Sequence, residues 1–148
     1  NKPYVHLLFV GDGKLKDLLC LKAGENCNIH FMDFQNQRAM PAIYQSADLF
    51  CLPSKGPGET WGLAVNEAMA CGKAVLVSDK CGCAIDLVTG DNGLIFRHEN
   101  LDELKTALLN LTSNKGSLIT MGKRSAVRIK EWNFLKIAAA VEKQLTGI

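Results

Sequence analysis

No apolar run in these 148 residues approaches the ~18 needed to span a bilayer, which predicts a chain outside the membrane. No block of lysine or arginine is long enough to mark a nucleic-acid surface. A net charge of +2, with both signs scattered, names no partner. No signal peptide or transit segment precedes the strand-like run of Val5, Leu7, Leu8, Phe9 and Val10, and the first residue is Asn1 rather than methionine. Both features predict a piece of a longer protein, amino-terminally truncated. A C-x-x-C pair is missing too, and His6, His30 and His98 lie far apart in the sequence, so no metal site is expected. The six cysteines are then expected as reduced thiols, with Cys51 and Cys71 acting as small hydrophobes and Cys81-Gly82-Cys83 as turn chemistry.

What is present is a 47% apolar composition, enough for one domain with a single core. Runs of strand and helix length alternate. Strands are expected at Val5 to Val10, Ile29 to Met32, Leu49 to Leu52, Ala74 to Ser78 and Gly93 to Phe96. Helices are expected from about Lys14 to Ala23, Met40 to Ser46 and Gly62 to Cys71, the last closed by Gly72. From Asn100, an N-cap, the pattern becomes helical through three further segments, with Trp132 and Phe134 expected to pin the last one to the core. This alternation predicts an α/β fold, Rossmann-like, in three α/β/α layers around a parallel sheet, with carboxy-terminal helices. Ligands of such sheets bind at the carboxyl ends of the strands.

Two of those ends carry candidate chemistry. Gly11-Asp12-Gly13 follows a strand and opens a helix, and Asp33 follows the next strand, as a dinucleotide fingerprint requires; Lys16, however, stands where its third glycine belongs. A tight strand-to-helix turn explains the same residues. The second is the loop from Ser54 to Trp61, which runs through Gly56, Pro57, Gly58 and Glu59 straight into a helix. Free N–H groups at a helix start, together with the helix dipole, suit a phosphate.

Within that helix Leu63, Ala64, Val65, Ala68, Met69 and Ala70 leave little polar face, yet Glu67 sits among them. A buried carboxylate needs donors, and a helical side chain leans toward the helix amino terminus. Either Glu67 accepts hydrogen bonds from a ribose while a diphosphate rests on the helix start, or it pairs within the protein for structure alone.

Taken in order, "VGDG", "ADLFCLPS", "ETWGLAVNEAMACGKAVLVSD", "GCAIDLV" and "NGLIF" resemble the carboxy-terminal, donor-binding half of the GT-B retaining glycosyltransferases of family 4, over residues 4 to 145. The most specific element is the pair Glu59 and Glu67, eight positions apart with a glycine-rich approach. The resemblance implies a hexosyltransferase parent that moves a sugar from a nucleotide-diphosphate sugar with retention, with no cofactor and no required metal. Glu59 would sit at the sugar as the candidate catalytic residue, acting by substrate positioning. Trp61, Gly62 and Leu63 would meet the diphosphate, and Glu67 would hold the ribose. Backbone groups of Met32, Asp33 and Phe34 would read the base, and Gly11 and Gly13 would shape their turn. Two departures stand out. The family's Gly-Gly-x-Pro-Glu element reads Gly82-Cys83-Ala84-Ile85-Asp86 here, so Cys83 predicts a backbone without positive φ. The strand and helix that bring an arginine and a lysine to the diphosphate, and the whole amino-terminal acceptor domain, would lie upstream of Asn1.

The implied setting is the cytoplasm, at the inner face of the membrane, with a surface polysaccharide or lipid-linked glycan as acceptor. Two other functions compete. One is an NAD-dependent oxidoreductase domain built on Gly11, Gly13 and Asp33. The other is a non-catalytic interaction module, in which Lys123, Arg124, Arg128 and Lys130 either form a solvated face or touch acidic headgroups.

Overall fold

The computed structural model describes residues 4–146. The chain divides into two compact units, one up to Met40 and one from Pro41. The first holds β1 (Leu7–Val10), α1 (Lys16–Ala23) and β2 (Ile29–Met32). β1 and β2 run parallel, with Leu7 opposite Ile29 and Val10 opposite Met32. β1 is shorter than the apolar run suggested. Leu7 and Leu8 stay 46% and 37% exposed, so the strand that read as buried is half-open.

The second unit begins in α2 (Met40–Ser46) and continues through β3 (Leu49–Leu52), α3 (Leu63–Ala70), β4 (Ala74–Ser78), α4 (Ala84–Leu87), β5 (Gly93–Phe96), α5 (Leu101–Leu111), α6 (Lys115–Ile129) and α7 (Phe134–Thr146). β3, β4 and β5 form a parallel sheet with β4 in the middle. Every residue of β4 is buried, as a strand covered on both faces must be. On one face Ala74 and Leu76 pack with Phe96, with Ala107 and Leu111 of α5 and with Leu118 of α6. α3 also packs on β4.

Local signals account for most boundaries. Asn100 caps α5 by accepting the Glu103 N–H at 3.0 Å, and Asn114 caps α6 by accepting from Ser117 at 3.1 Å. α6 therefore starts three residues before the apolar pattern does, because its first turn is polar. The short α4 has too little periodicity to be read from sequence.

Three expectations are corrected. The single parallel sheet is two sheets, because β1 and β3 each have a strand partner on one side only among the described residues. Phe134 does not pin α7: it is 89% exposed, and the helix buries none of its residues. Finally, the apolar α3, expected to be buried between the sheet and its neighbours, is only partly buried: Leu63 is 70% exposed and only Val65, Ala68 and Met69 are buried.

Candidate functional site

In the unit up to Met40 the candidate residues are tied together by a clasp centred on Lys16. Gly11 takes φ +123°, a region costly for any residue with a Cβ, and its N–H reaches the Met32 carbonyl at 2.9 Å. Gly13 has no such constraint, and the space above it is open. Asp12 accepts the Phe34 N–H on Oδ2 at 3.0 Å and the Lys16 ammonium on Oδ1 at 2.6 Å. Lys16 also pairs with Asp33. The Lys16 hydrogen bond holds the Asp12 carboxyl below its usual range, and the two carboxylates push the ammonium up. Lys16 thus fills the third-glycine position with a link between two strand ends. It also occupies the carboxylate that ribose recognition by Asp33 would need.

In the unit from Pro41 the site is built by clamping two loops at the carboxyl ends of β3 and β4. The Trp61 carbonyl accepts the Cys83 N–H at 2.9 Å, and the Ser78 hydroxyl donates to the Ser54 carbonyl at 2.6 Å. Gly82 lies so close beneath Thr60 that a Cβ there would stand 2.1 Å from the Thr60 carbonyl oxygen. Cys83 has φ −71°, so the residue in the family's second-glycine position needs no left-handed backbone, as its identity predicts. The thiols of Cys81 and Cys83 face the Leu52 and Gly62 carbonyls and are turn packing.

The clamp fixes the start of α3. Gly62 is its N-cap at φ +96°, where a Cβ would come within 3.2 Å of the Cys83 sulfur. Among the described residues no side chain caps the helix, and its first backbone bond is Val65 N–H to the Gly62 carbonyl, so the N–H groups of Leu63 and Ala64 have no backbone acceptor there. Trp61 is held by its indole N–H, which donates to Asn66 at 3.0 Å, and by Trp132, whose ring centre lies 5.7 Å away. Glu59, in the same loop, is half-buried.

Glu67 is half-buried and has a partner that spacing did not reveal. Its Oε2 accepts the Tyr44 hydroxyl at 2.8 Å. Tyr44 is 6% exposed and packs edge-on against Phe50; burial, and then the Glu67 carboxylate, push its phenol well above the usual range. The second Glu67 oxygen has no partner among the described residues and is not sealed in the interior. Tyr44 lies 23 positions upstream, and no periodicity links the two.

Asp79, at the end of β4, accepts the His98 N–H and pairs with the His98 ring, both at 2.9 Å, which lowers its carboxyl. His6 and His30, distant in sequence, are neighbours on adjacent strands, with ring nitrogens 3.0 Å apart. No third ligand joins them: among the described residues no group of three or more His, Cys, Asp or Glu is placed to hold a metal. Nor is any described helix long and apolar enough to cross a membrane.

All six cysteines are free. A disulfide-forming thiol reagent is expected to label exposed Cys20 and Cys27 rapidly and to reach Cys81 and Cys83 only on unfolding, as a time course read by peptide mass will report. Burial raises the Cys51 and Cys83 thiols from 9.0 to about 11. The unfolded chain therefore sheds these protons first. Stability should be level below about pH 9 and fall between about 9 and 11 in denaturant titrations.

Parallel sheets with flanking helices, a glycine turn after the first strand and an open helix start after the third define a Rossmann-like domain of the GT-B kind. The chain belongs to the family described as glycosyl transferases group 1, whose sequence model matches residues 1–128. It is 28% identical over 140 residues to a phosphatidyl-myo-inositol mannosyltransferase of Mycolicibacterium smegmatis, covering 94% of this chain and 36% of that protein. It is 27% identical over 114 residues to a D-inositol 3-phosphate glycosyltransferase of Corynebacterium aurimucosum, covering 77% of this chain and 27% of that protein. The chain thus spans about a third of the length of the curated relatives it matches. Among solved structures it is similar in fold to sucrose-phosphate synthase of Thermosynechococcus elongatus (TM-score 0.81, 21% identity, 99% of this chain and 39% of that one). A similar match is Alr3699/HepE of Anabaena in complex with UDP (TM-score 0.81, 23% identity, 99% and 42%). Family membership sets aside the oxidoreductase domain.

Proposed function

We propose that this chain is the donor-binding half of a hexosyltransferase that moves a sugar from a nucleotide-diphosphate sugar to an acceptor, with retention. The observation that carries this is the uncapped start of α3, fixed by the loop clamp, with a half-open Glu67 oxygen one helical turn along the same element. In this assignment the N–H groups of Leu63 and Ala64, with the Trp61 and Gly62 main chain, meet the diphosphate. As the bond to the sugar breaks the diphosphate gains charge, and fixed N–H dipoles stabilise it without reorganising. Glu67 holds the ribose hydroxyls through its unpartnered oxygen, and Glu59, at the loop mouth, positions the sugar. The base lies beside Met32, Asp33 and Phe34, over the turn shaped by Gly11 and Gly13. No metal is needed in this scheme, because helix dipoles and cations take its role.

The chain spans about a third of the curated relatives it matches, and in this assignment those cations and the acceptor domain belong to the rest of a parent of that length. The proposed acceptor is a lipid-linked glycan or surface polysaccharide; of the two curated relatives, one is named for a lipid, phosphatidyl-myo-inositol, and the other for D-inositol 3-phosphate. A cytoplasmic protein touching the inner membrane face fits such an acceptor, with Lys123, Arg124 and Arg128 of α6 available to acidic headgroups. Titration of this chain with uridine and guanosine diphosphates should give saturable but weak binding, near millimolar. Incubation with nucleotide sugars should give no transfer. Robust transfer by the chain alone, or no saturable binding by a chain restored to the length of its relatives, would overturn the proposal.

A further inference from the structure

His6 and His30 take no part in the donor site, yet the fold brings them together. Side chains alternate across a strand, and Leu8 stands opposite His30 in the β1–β2 register, so His6, two residues before Leu8, falls on the same face one diagonal step away. Phe9 and Phe31 stack on the opposite face, with ring centres 5.2 Å apart, and hold the two strands from that side. On the first face the two imidazole rings also lie with centres 5.2 Å apart, and His6 Nδ1 is 3.0 Å from His30 Nε2. Both residues are exposed.

A hydrogen bond between two imidazoles requires a free lone pair on the accepting nitrogen, the form in which histidine binds a metal. The spacing fits as well. With metal–nitrogen bonds of about 2.0–2.1 Å, two ligands of one ion stand about 2.9 Å apart at a right angle and about 3.3 Å apart in a tetrahedron. The observed 3.0 Å lies within that range. Turning each ring about its Cβ–Cγ bond points both lone pairs at one ion, while the donating ring moves its proton to its other nitrogen. No third His, Cys, Asp or Glu among the described residues joins the pair, so exposed rings leave the remaining positions to water.

We infer that His6 and His30 chelate a divalent transition metal, Zn2+, Ni2+ or Cu2+, in an open site completed by water, and that the ion staples β1 to β2. Imidazole suits these ions, with Cu2+ the tightest, whereas Mg2+ takes oxygen ligands. Each of the two strands has the other as its sole strand partner among the described residues, so a link between them secures the pairing itself. The ligands lie toward the amino ends of the strands, while Gly11 and Asp33 follow the carboxyl ends. Isothermal titration and scanning calorimetry of the protein without a polyhistidine tag, with Ni2+, Zn2+ and Mg2+ as probes, test this. One ion of Ni2+ or Zn2+ should bind per chain and raise Tm in proportion to the logarithm of its concentration, and Mg2+ should do neither. His6→Gln and His30→Gln should each weaken Ni2+ binding roughly a hundredfold, as loss of one arm of a chelate does. The chain has three histidines, so ring NMR signals of the unaltered protein give a readout that needs no variant: paramagnetic Ni2+ below one equivalent should broaden His6 and His30 together and spare His98. Exposed thiols bind the same ions, so the Cys20→Ser, Cys27→Ser variant should keep full affinity. Loss of binding in that variant, Ni2+ binding that survives His30→Gln, broadening of one ring only, one ion shared by two chains, or no saturation by Ni2+ overturns the inference.

Discussion

Gly82→Ala is expected to destabilise the protein by about 3 kcal/mol, lowering Tm by roughly 10 °C. The added Cβ would stand 2.1 Å from the Thr60 carbonyl oxygen and 3.4 Å from the Trp61 Cα, so a backbone segment must move. A flexible side chain could swing away from such a contact; a carbonyl held in a loop cannot. The loop is fixed from its other side by the Cys83 N–H to Trp61 bond and by the indole contacts, so the displacement passes to Gly62 and the start of α3. Nucleotide binding should weaken in the same variant at temperatures where it is still folded. Gly90→Ala is the control: nothing lies within 4 Å of its Cβ position, and its Tm should change little. Differential scanning calorimetry of the two variants decides this. A Gly82→Ala protein that melts with the wild type would show that the loops are not clamped.

Glu67→Ala should reduce nucleoside diphosphate affinity by roughly tenfold to a hundredfold, the loss expected for hydrogen bonds to a charged group. It should also cost about 1–2 kcal/mol of stability, because the Tyr44 hydroxyl, 6% exposed as a residue, loses its acceptor. The pair separates these effects. Removing both partners, in Tyr44→Phe with Glu67→Ala, leaves no orphaned donor and should recover most of the stability, while affinity stays low. Tyr44→Phe alone should leave binding nearly intact. If the double variant regained affinity along with stability, Glu67 would be a structural residue only. Calorimetric unfolding and a nucleotide titration on the same samples supply both readouts.

Glu67 also shows where sequence reasoning stops. That a carboxylate in an apolar helix needs donors follows from its charge, but the Tyr44 hydroxyl comes from an element 23 residues away. Lys16 is similar. As a break in a glycine pattern it argues against a dinucleotide site, yet only the chain path past β2 brings Asp12, Lys16 and Asp33 together. Phe134 and Trp132 read alike as apolar anchors. One is almost fully exposed, and the other lies on Trp61.

The order and limits of β2, α2, β3, β4 and β5 were determined by the sequence itself, since apolar periodicity, caps and glycine turns act between near neighbours. So was membership of the α/β class, and with it the candidate loops at the strand ends. Tertiary structure alone decided that five strands make two sheets, that Cys81-Gly82-Cys83 locks the loop before α3, and that Glu67 keeps one oxygen free after meeting Tyr44. Each depends on contacts between residues eighteen or more positions apart, and strand pairing, steric closeness and hydrogen-bond partners at such separations have no period along a chain.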